Sequence, residues 1–303
     1  GMALICMGRP ELDLLDERSV ETAIKDCAPR FVINAAAYTN VDAAESDEAT
    51  AMALNADAPA RLARLCARLD MPLLHISTDY VFDGAARAPY HEDAPTGPLN
   101  VYGRSKLAGE MGVRVETDKH IILRTSWVYG PHTPNFVTTM LRLARDKGQA
   151  AVVDDQIGAP TSALDIADAI LNIAARTTEA PSPDLWGTYH FTAAGTCSWA
   201  DFAQLIFDQY DAQSGTKTQL KRIPTAEFPT PDKRPHYSVL STQKLTKTFG
   251  IAPGDWTIGV QATLRRLLDK GMQLDEGHYS SRWTRNSSLS DHARHLETAL
   301  SGL

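Results

Sequence analysis

LLHISTDYVF, residues 73–82, decides the fold: it opens as a mostly apolar run, which hydroxyl and acidic side chains follow at 77–79. The run lacks the apolar–polar alternation of a strand with one wet face, which indicates a strand covered on both faces. RFVIN (30–34) and HIILRT (120–125) have the same character. Stretches of helical composition, 43–68 and 99–115, separate these runs, so the sequence predicts a parallel, doubly wound α/β sheet.

The rest of the chain extends this pattern and then changes it. A strand is expected at 3–7 and a helix at 19–27 with Ser19 as N-cap, while 43–68 is expected to break near 55–59, where a proline lies. After about residue 177 the pattern is typical of a smaller α+β lobe. Further expected elements are helices 135–147, 162–176, 198–210, 241–249 and 257–270, strands 151–153 and 188–192, and an extended piece at 218–223.

These patterns suggest three parts. Residues 1–176 are expected to form an NAD(P)-binding Rossmann-like domain, 177–274 a substrate-binding lobe interleaved with it, and 275–303 a polar tail. His278, His292 and His295 lie in that tail at irregular spacing, so we interpret them as solvated and predict no metal site.

Composition excludes several classes of protein. The 303 residues are 43% hydrophobic and 22% charged, with a net charge of −7, which is typical of a globular protein and a poor match for nucleic-acid binding. No run has the roughly 18 apolar residues of a membrane span, and no signal peptide is evident. The four cysteines are scattered, which favours free thiols and a cytoplasmic location.

Tyr102 and Lys106 lie four residues apart in a predicted helix, so their side chains share one face. A phenol loses its proton at about pH 10 and is a slow acid–base group at neutral pH. A nearby ammonium favours the phenolate and is expected to lower the pKa of Tyr102 by about 1–3. The pair is therefore a candidate for general acid catalysis. A surface lysine passing a packed tyrosine would give the same spacing.

Hydroxyl side chains follow two of the predicted strands. Thr78 follows the run 73–77, and the next strand ends in Thr125 and Ser126, just before Trp127. Ligands of open α/β sheets bind at the carboxyl ends of the strands. A hydroxyl there can bond a substrate carbonyl or the tyrosine, although Thr78 alone could be a turn cap.

Seven blocks in chain order resemble the extended short-chain dehydrogenase/reductases, and within them the dTDP-4-dehydrorhamnose reductases. The resemblance is specific as a set and covers residues from about 8 to 270. The blocks are NAAAYTNVD (34–42), STDYVFDG (77–84), PLNVYGRSKLAGE (98–110), RTSWVYG (124–130), DQIGAPT (155–161), GTYHFTAAGTCSW (187–199) and RPHYSVLST (234–242).

The resemblance implies a catalytic triad of Thr78, Tyr102 and Lys106. NADPH or NADH would deliver a hydride to C4 of a 4-keto sugar nucleotide, Tyr102 would supply the proton, and Thr78 would polarise the keto group. Lys106 would tune Tyr102 and hold the nicotinamide ribose. Thr78 and three further residues match positions that line the sugar: Thr39, Tyr80 and Trp127.

The resemblance also implies positions along the cofactor, in addition to Tyr102 and Lys106. Arg9 could hold an adenosine 2′-phosphate, which leans toward NADP. A homodimer and a magnesium ion stay open, because some members of the family pair through magnesium, but no acidic pattern here supports the metal. The remaining cofactor positions are Asp13, Leu14, Ala35, Ala36 and Ala37.

The chain departs from the family at its start. Residues 1–40 contain no GxGxxG or GxxGxxG, although a dinucleotide-binding fold opens with a strand, a Gly-rich turn and a helix. The first strand, turn and helix, on the order of 25 residues, are expected to be missing. Either the coding sequence begins further upstream, which the retained triad favours, or the chain has lost its cofactor.

Two other functions remain open at this point. An epimerase or dehydratase of the same superfamily would share the Tyr–Lys spacing but show no net consumption of NADPH. A non-catalytic binding subunit is the other alternative, because a reductase-like fold serves as a regulatory subunit of methionine adenosyltransferase in animals. The absent Gly-rich turn favours the subunit, and the intact triad favours an enzyme.

Overall fold

The computed structural model describes residues 3–269 together with Leu296 and Leu300. Within this part of the chain the strands are β1 (Val32–Asn34), β2 (Leu73–Thr78), β3 (His120–Thr125), β4 (Val128–Tyr129), β5 (Gln149–Val153), β6 (Ile157–Gly158), β7 (Thr161–Ser162), β8 (Gly187–His190), β9 (Cys197–Ser198) and β10 (Gln219–Ile223). The α-helices are α1 (Glu17–Cys27), α2 (Val41–Ala44), α3 (Glu48–Met52), α4 (Ala58–Arg68), α5 (Val101–Glu116), α6 (Phe136–Lys147), α7 (Ala163–Glu179), α8 (Trp199–Ser214), α9 (Gln243–Phe249) and α10 (Trp256–Asp269).

The main sheet has the strand order β1-β2-β3-β8, and every pair in it is parallel. Val32 lies opposite Leu73, and Thr78 lies opposite Thr125. The last residues of β2 and β3 therefore meet at one edge of the sheet, where ligands of this fold class bind.

Helices cover both faces of this sheet. Leu73 and Ile122 belong to an apolar cluster with α1, α4 and α5, whereas Leu74 and Ile121 point the other way and pack with α7 and α9. Neighbouring residues of one strand thus enter different cores, which is why the strand sequences show no alternation. The predicted doubly wound α/β fold is confirmed.

A second apolar core lies between α6, α8 and α10. Short pairs of strands border it: β5 with β10 and β4 with β7, both parallel, and β6 with β9, antiparallel. Strands on either side of residue 176 share ladders, since β3 pairs with β8 and β5 with β10. The three-part division stays a prediction, and the tail 275–303 lies outside the described residues except for Leu296 and Leu300.

Three local expectations need correction. Residues 3–7 form no strand, because no ladder partner joins them among the described residues. Helix α1 is capped by Asp16, whose side chain accepts from the Arg18 amide, so it begins before Ser19. The expected break near 55–59 is a π turn, Ala53–Asp57, that runs on into α4.

No helix in the described part of the chain has the length and apolar character to cross a membrane.

Candidate active site

Thr78 ends β2 and begins a tight turn. Its hydroxyl accepts from the Tyr80 amide at 3.2 Å and donates to Asp79 Oδ1 at 3.0 Å. Thr78 and Asp79 are both buried. The turn therefore fixes a hydroxyl and a carboxyl group at the edge of the sheet where the strands end.

Helix α5 carries Tyr102 and Lys106. Two hydrogen bonds and one close backbone contact fix its first turn. The Asn100 side chain accepts from the Gly103 amide at 2.8 Å, and Glu45 Oε1 accepts from the Val101 amide at 2.7 Å. Gly103 lies so close to the Tyr80 carbonyl that a Cβ atom there would collide with it. This close approach sets the helix directly against the turn that follows Thr78.

Tyr102 lies in a buried pocket beside Tyr80, with the two rings edge to face and their centroids 5.7 Å apart. Burial raises the pKa of Tyr102 well above its usual value, while a hydrogen bond with Thr78 acts in the opposite direction. The expected net fall in the pKa of Tyr102 is therefore wrong for the structure described. The cost of burying a phenolate outweighs the other influences.

Lys106 is almost fully buried, and its ammonium donates to the Ile76 carbonyl at 2.6 Å. Burial lowers the pKa of Lys106 to about 8, and the negative charge of Glu110 partly opposes this change. The ammonium has three donors, of which this hydrogen bond uses one. Lys106 is thus tied to β2 two residues before Thr78, within the same buried site.

A buried ion pair beneath α5 escaped the sequence reasoning. Glu110, one turn after Lys106, accepts from Arg124 at 2.8 and 2.7 Å. Arg114 Nη2 also donates to it at 2.8 Å. The sequence contained two features that could have predicted the pair. An acidic residue lies four positions after Lys106, and an arginine lies near the end of the predicted core strand 120–125.

Asn55 was also missed, although it joins two parts of the site. Its side chain accepts from the Tyr38 amide at 2.7 Å, donates to the Tyr38 carbonyl at 3.0 Å and donates to Ser105 Oγ at 2.9 Å. It stands in the π turn Ala53–Asp57, an irregularity that is frequent at functional sites. Asn55 therefore holds the loop after β1 against α5.

Asp79 is a third residue that was not singled out. Burial raises the pKa of Asp79 to about 6, although hydrogen bonds from Ser238 and Thr78 act against the rise. The STDYVF segment contained this carboxyl group, but only the packing shows that water does not reach it.

The predicted substrate residues lie at different places around this edge. Tyr80 is in contact with Tyr102, whereas Thr39 is half-buried in the loop that follows β1. Trp127 follows β3 and stacks on Trp199, with ring centroids 3.6 Å apart. The structure thus brings Tyr80 into contact with both Thr78 and Tyr102, and it bonds Lys106 to β2 two residues before Thr78.

The predicted cofactor residues are divided between a cleft and the surface. An apolar cleft of about 650 Å³ runs beside β1 and α1, and Leu14, Ala35 and Ala36 line it. Ala37 is half-buried just beyond this lining. Arg9 and Asp13 do not line the cleft; they form an exposed ion pair at 3.2 Å with each other.

Comparison with known proteins identifies the family. A family model described as the RmlD substrate binding domain matches residues 1–268. A dTDP-4-dehydrorhamnose reductase of Sinorhizobium fredii is 45% identical over 268 residues, which cover 88% of this chain and 90% of that protein. The chain belongs to the dTDP-4-dehydrorhamnose reductase family. The predicted family and the predicted oxidoreductase class are confirmed.

Solved dTDP-4-dehydrorhamnose reductases share the fold. The protein of Bacillus anthracis, in complex with NADP, gives a TM-score of 0.79 at 34% identity and covers 86% of this chain and 89% of its own. The protein of Clostridium acetobutylicum gives 0.78 at 36% identity, with coverages of 85% and 88%. WbmG of Bordetella bronchiseptica, solved with NAD and UDP, shows the fold alone at 22% identity and a TM-score of 0.71, with coverages of 89% and 82%.

The residues of this dTDP-4-dehydrorhamnose reductase family member suit the nicotinamide end of such a cofactor. Thr125 Oγ1 is buried without a hydrogen-bond partner, directly opposite Thr78 in the sheet. An orphaned hydroxyl opposite Thr78 favours a polar ligand at this edge of the sheet. The pyrophosphate end is different, because the described residues contain no Gly-rich turn that opens a helix there.

Proposed function

We propose that the protein reduces the 4-keto group of dTDP-4-dehydro-6-deoxy-L-mannose, with NADPH or NADH, to give dTDP-L-rhamnose. The shared burial of Thr78, Tyr102 and Lys106 where α5 packs against the end of β2, with the Lys106 ammonium bonded to the Ile76 carbonyl, is the observation that carries this proposal. The names of the relatives and the NADP complex of the Bacillus anthracis protein support the substrate class and the cofactor.

Tyr102 is the proton donor of the proposed reaction. Reduced nicotinamide, when bound, supplies the hydride to C4 of the sugar. The phenol of Tyr102 is protonated at neutral pH, which is the form that a donor needs, and burial raises its pKa further. Its proton passes to the oxygen that becomes the 4-hydroxyl group, and the ammonium of Lys106 favours the phenolate left behind.

Thr78 polarises the keto group in this scheme. Its hydroxyl, which donates to Asp79 in the structure, would turn toward the substrate oxygen and share with Tyr102 the charge that develops there. Removal of one such donor typically costs about 3–4 kcal/mol of activation free energy. Thr39, Tyr80 and Trp127 are proposed to line the sugar.

NADPH is proposed as the preferred donor, with Arg9 as the residue that recognises the 2′-phosphate. Arg9 is exposed and paired with Asp13, so a phosphate group would compete with that carboxylate for the guanidinium. A nucleotide sugar is the expected partner, and neither nucleic acid nor a membrane is. A homodimer, a magnesium ion and the cytoplasmic location stay predictions.

Consumption of NADPH by the full chain, followed by absorbance in the presence of the keto sugar nucleotide, tests the proposal. We expect turnover only when both reactants are present. Tyr102→Phe should lower kcat by about 10²–10⁴-fold, whereas Tyr210→Phe, in the second core, should match the parent.

Two results would overturn the reductase assignment. Conversion of a sugar nucleotide without net loss of NADPH would identify an epimerase or a dehydratase of the same superfamily. A chain that carries the strand, Gly-rich turn and helix expected upstream, and that folds but neither binds nor consumes NADPH, would favour the non-catalytic binding subunit.

A further inference from the structure

Trp127 has a backbone conformation that large side chains rarely adopt. Its φ is 47°, in the left-handed region, where a residue other than glycine persists only if its surroundings hold it. The Trp127 carbonyl accepts from the Thr161 amide at 3.2 Å, just before the β4–β7 pair begins. The side chain of Trp127 packs against the second apolar core.

Two residues pack against that indole. Trp199 lies parallel to it, with centroids 3.6 Å apart and 10° between the ring planes. Gly158 approaches so closely that a Cβ atom would collide with Cε2 of Trp127 and lie 2.7 Å from its Nε1. A side chain at position 158 would therefore displace the indole.

Both contacts come from one small structural unit. β6 and β9 pair antiparallel, with Ile157 opposite Ser198 and Gly158 opposite Cys197. Ser198 then caps α8, accepting from the Asp201 amide, so that Trp199 is the first helical residue. Trp199 and Gly158 are thus fixed to the same ladder, and this ladder belongs to the second core rather than to the main sheet.

We propose that Trp199 is a positioning residue which, together with Gly158, holds the Trp127 indole where the sugar of the substrate binds. This inference rests on the proposed function, because it gives Trp127 its role through the keto sugar. Trp199 acts through Trp127 and not on the reacting atoms. The second core thereby contributes to sugar recognition, because it orients a ring that directly follows strand β3 of the main sheet.

The first test uses the circular dichroism of the full chain, without substrate. Two indoles stacked at this distance couple their transitions, and they give an exciton couplet in the far ultraviolet when the two rings are twisted relative to each other about the stacking axis. Trp127→Phe and Trp199→Leu should both abolish the couplet. Trp256→Leu is the matched control, since Trp256 contacts Phe202 in the same aromatic cluster, and it should leave the couplet in place. A couplet that survives Trp199→Leu would overturn the proposal.

The second test is kinetic. Trp199→Leu should raise KM for the keto sugar nucleotide by at least ~10-fold with no change in KM for NADPH, and Trp199→Phe should restore most of the loss because it keeps an aromatic face. Gly158→Ala should raise the same KM without removing any ring. Loss of the couplet with an unchanged sugar KM would refute positioning by Trp199. A parent chain that is folded but inactive toward the sugar would instead refute the proposed function.

Discussion

The Glu110 carboxylate engages two nitrogens of the Arg124 guanidinium, at 2.8 and 2.7 Å, underneath the helix that carries Tyr102 and Lys106. Glu110 is fully buried and Arg124 is 2% exposed. Burying two charges costs solvation free energy that their attraction barely offsets, but the removal of one partner leaves the other uncompensated. The pair therefore locks α5 to the last residues of β3.

Glu110→Gln should lower the free energy of unfolding by about 3–5 kcal/mol, because the charge of Arg124 would stay buried without its partner. Urea denaturation measures this change. Glu227→Gln is the matched control, since Glu227 pairs with Lys221 at the surface, and it should cost less than about 1 kcal/mol. Equal losses in the two variants would contradict the role of the buried pair.

The proposed reduction should slow as the pH rises through about 8. Burial lowers the pKa of Lys106 to about 8, partly opposed by Glu110, and only the ammonium form favours the tyrosinate that the reaction produces. The pH profile of kcat should therefore fall on its alkaline side. Lys106→Arg, which keeps its charge, should be slower but lack this decline. A flat parent profile up to about pH 10 would refute the assignment.

Lys106 should make the stability of the fold rise with pH, whereas it should make the rate of the proposed reduction fall. The unfolded chain keeps the lysine proton up to about pH 10.4, whereas burial lowers the folded-state pKa to about 8. Between these values the unfolded state binds more protons, so the contribution of Lys106 to stability rises with pH. Lys106→Met should remove that rise in urea denaturation series collected across this window.

Acid should destabilise the fold through His75 and His190. Burial and the nearby charge of Arg124 lower the pKa of His190 to about 3, while burial and the charge of Lys106 hold the pKa of His75 well below 6.5. Below about pH 6.5 the unfolded chain gains these protons first. Each histidine then removes about 1.4 kcal/mol of stability per pH unit.

A substitution of His190 isolates this effect. His190→Gln should flatten the acid slope of the unfolding free energy between about pH 6 and pH 4, by the share that one histidine contributes. His91→Gln serves as the control, because His91 is exposed, and should keep the parent slope. Identical slopes in both variants would mean that His190 is not held neutral.

Gly109→Ala should destabilise the protein by about 1–3 kcal/mol, as expected for overpacking. A Cβ atom at this position of α5 would collide with the Asn55 carbonyl in the π turn. Thermal or urea unfolding measures the loss. Gly254→Ala, where open space surrounds the added atom, should change stability far less, and the reverse order would contradict the close packing of α5 on this turn.

Local patterns in the sequence predicted the parts of the fold that depend on local chemistry. The strand 120–125 agrees with β3 residue for residue, and the YxxxK pair lies on a helix as expected. The strand expected at 3–7 failed because apolar composition does not supply a ladder partner. The predicted fall in the pKa of Tyr102 failed because the spacing of Tyr102 and Lys106 says nothing about how completely the phenol is buried.

The sequence by itself determined a doubly wound α/β chain with hydroxyls at its strand ends and a tyrosine–lysine pair on one helix face, because periodicity and spacing act over a few residues. The tertiary structure alone decided that Lys106 bonds to Ile76, that Glu110 compensates Arg124 and that Trp199 stacks on Trp127. These contacts join residues distant in the chain, and their energetics depend on how completely the folded chain removes water from each group.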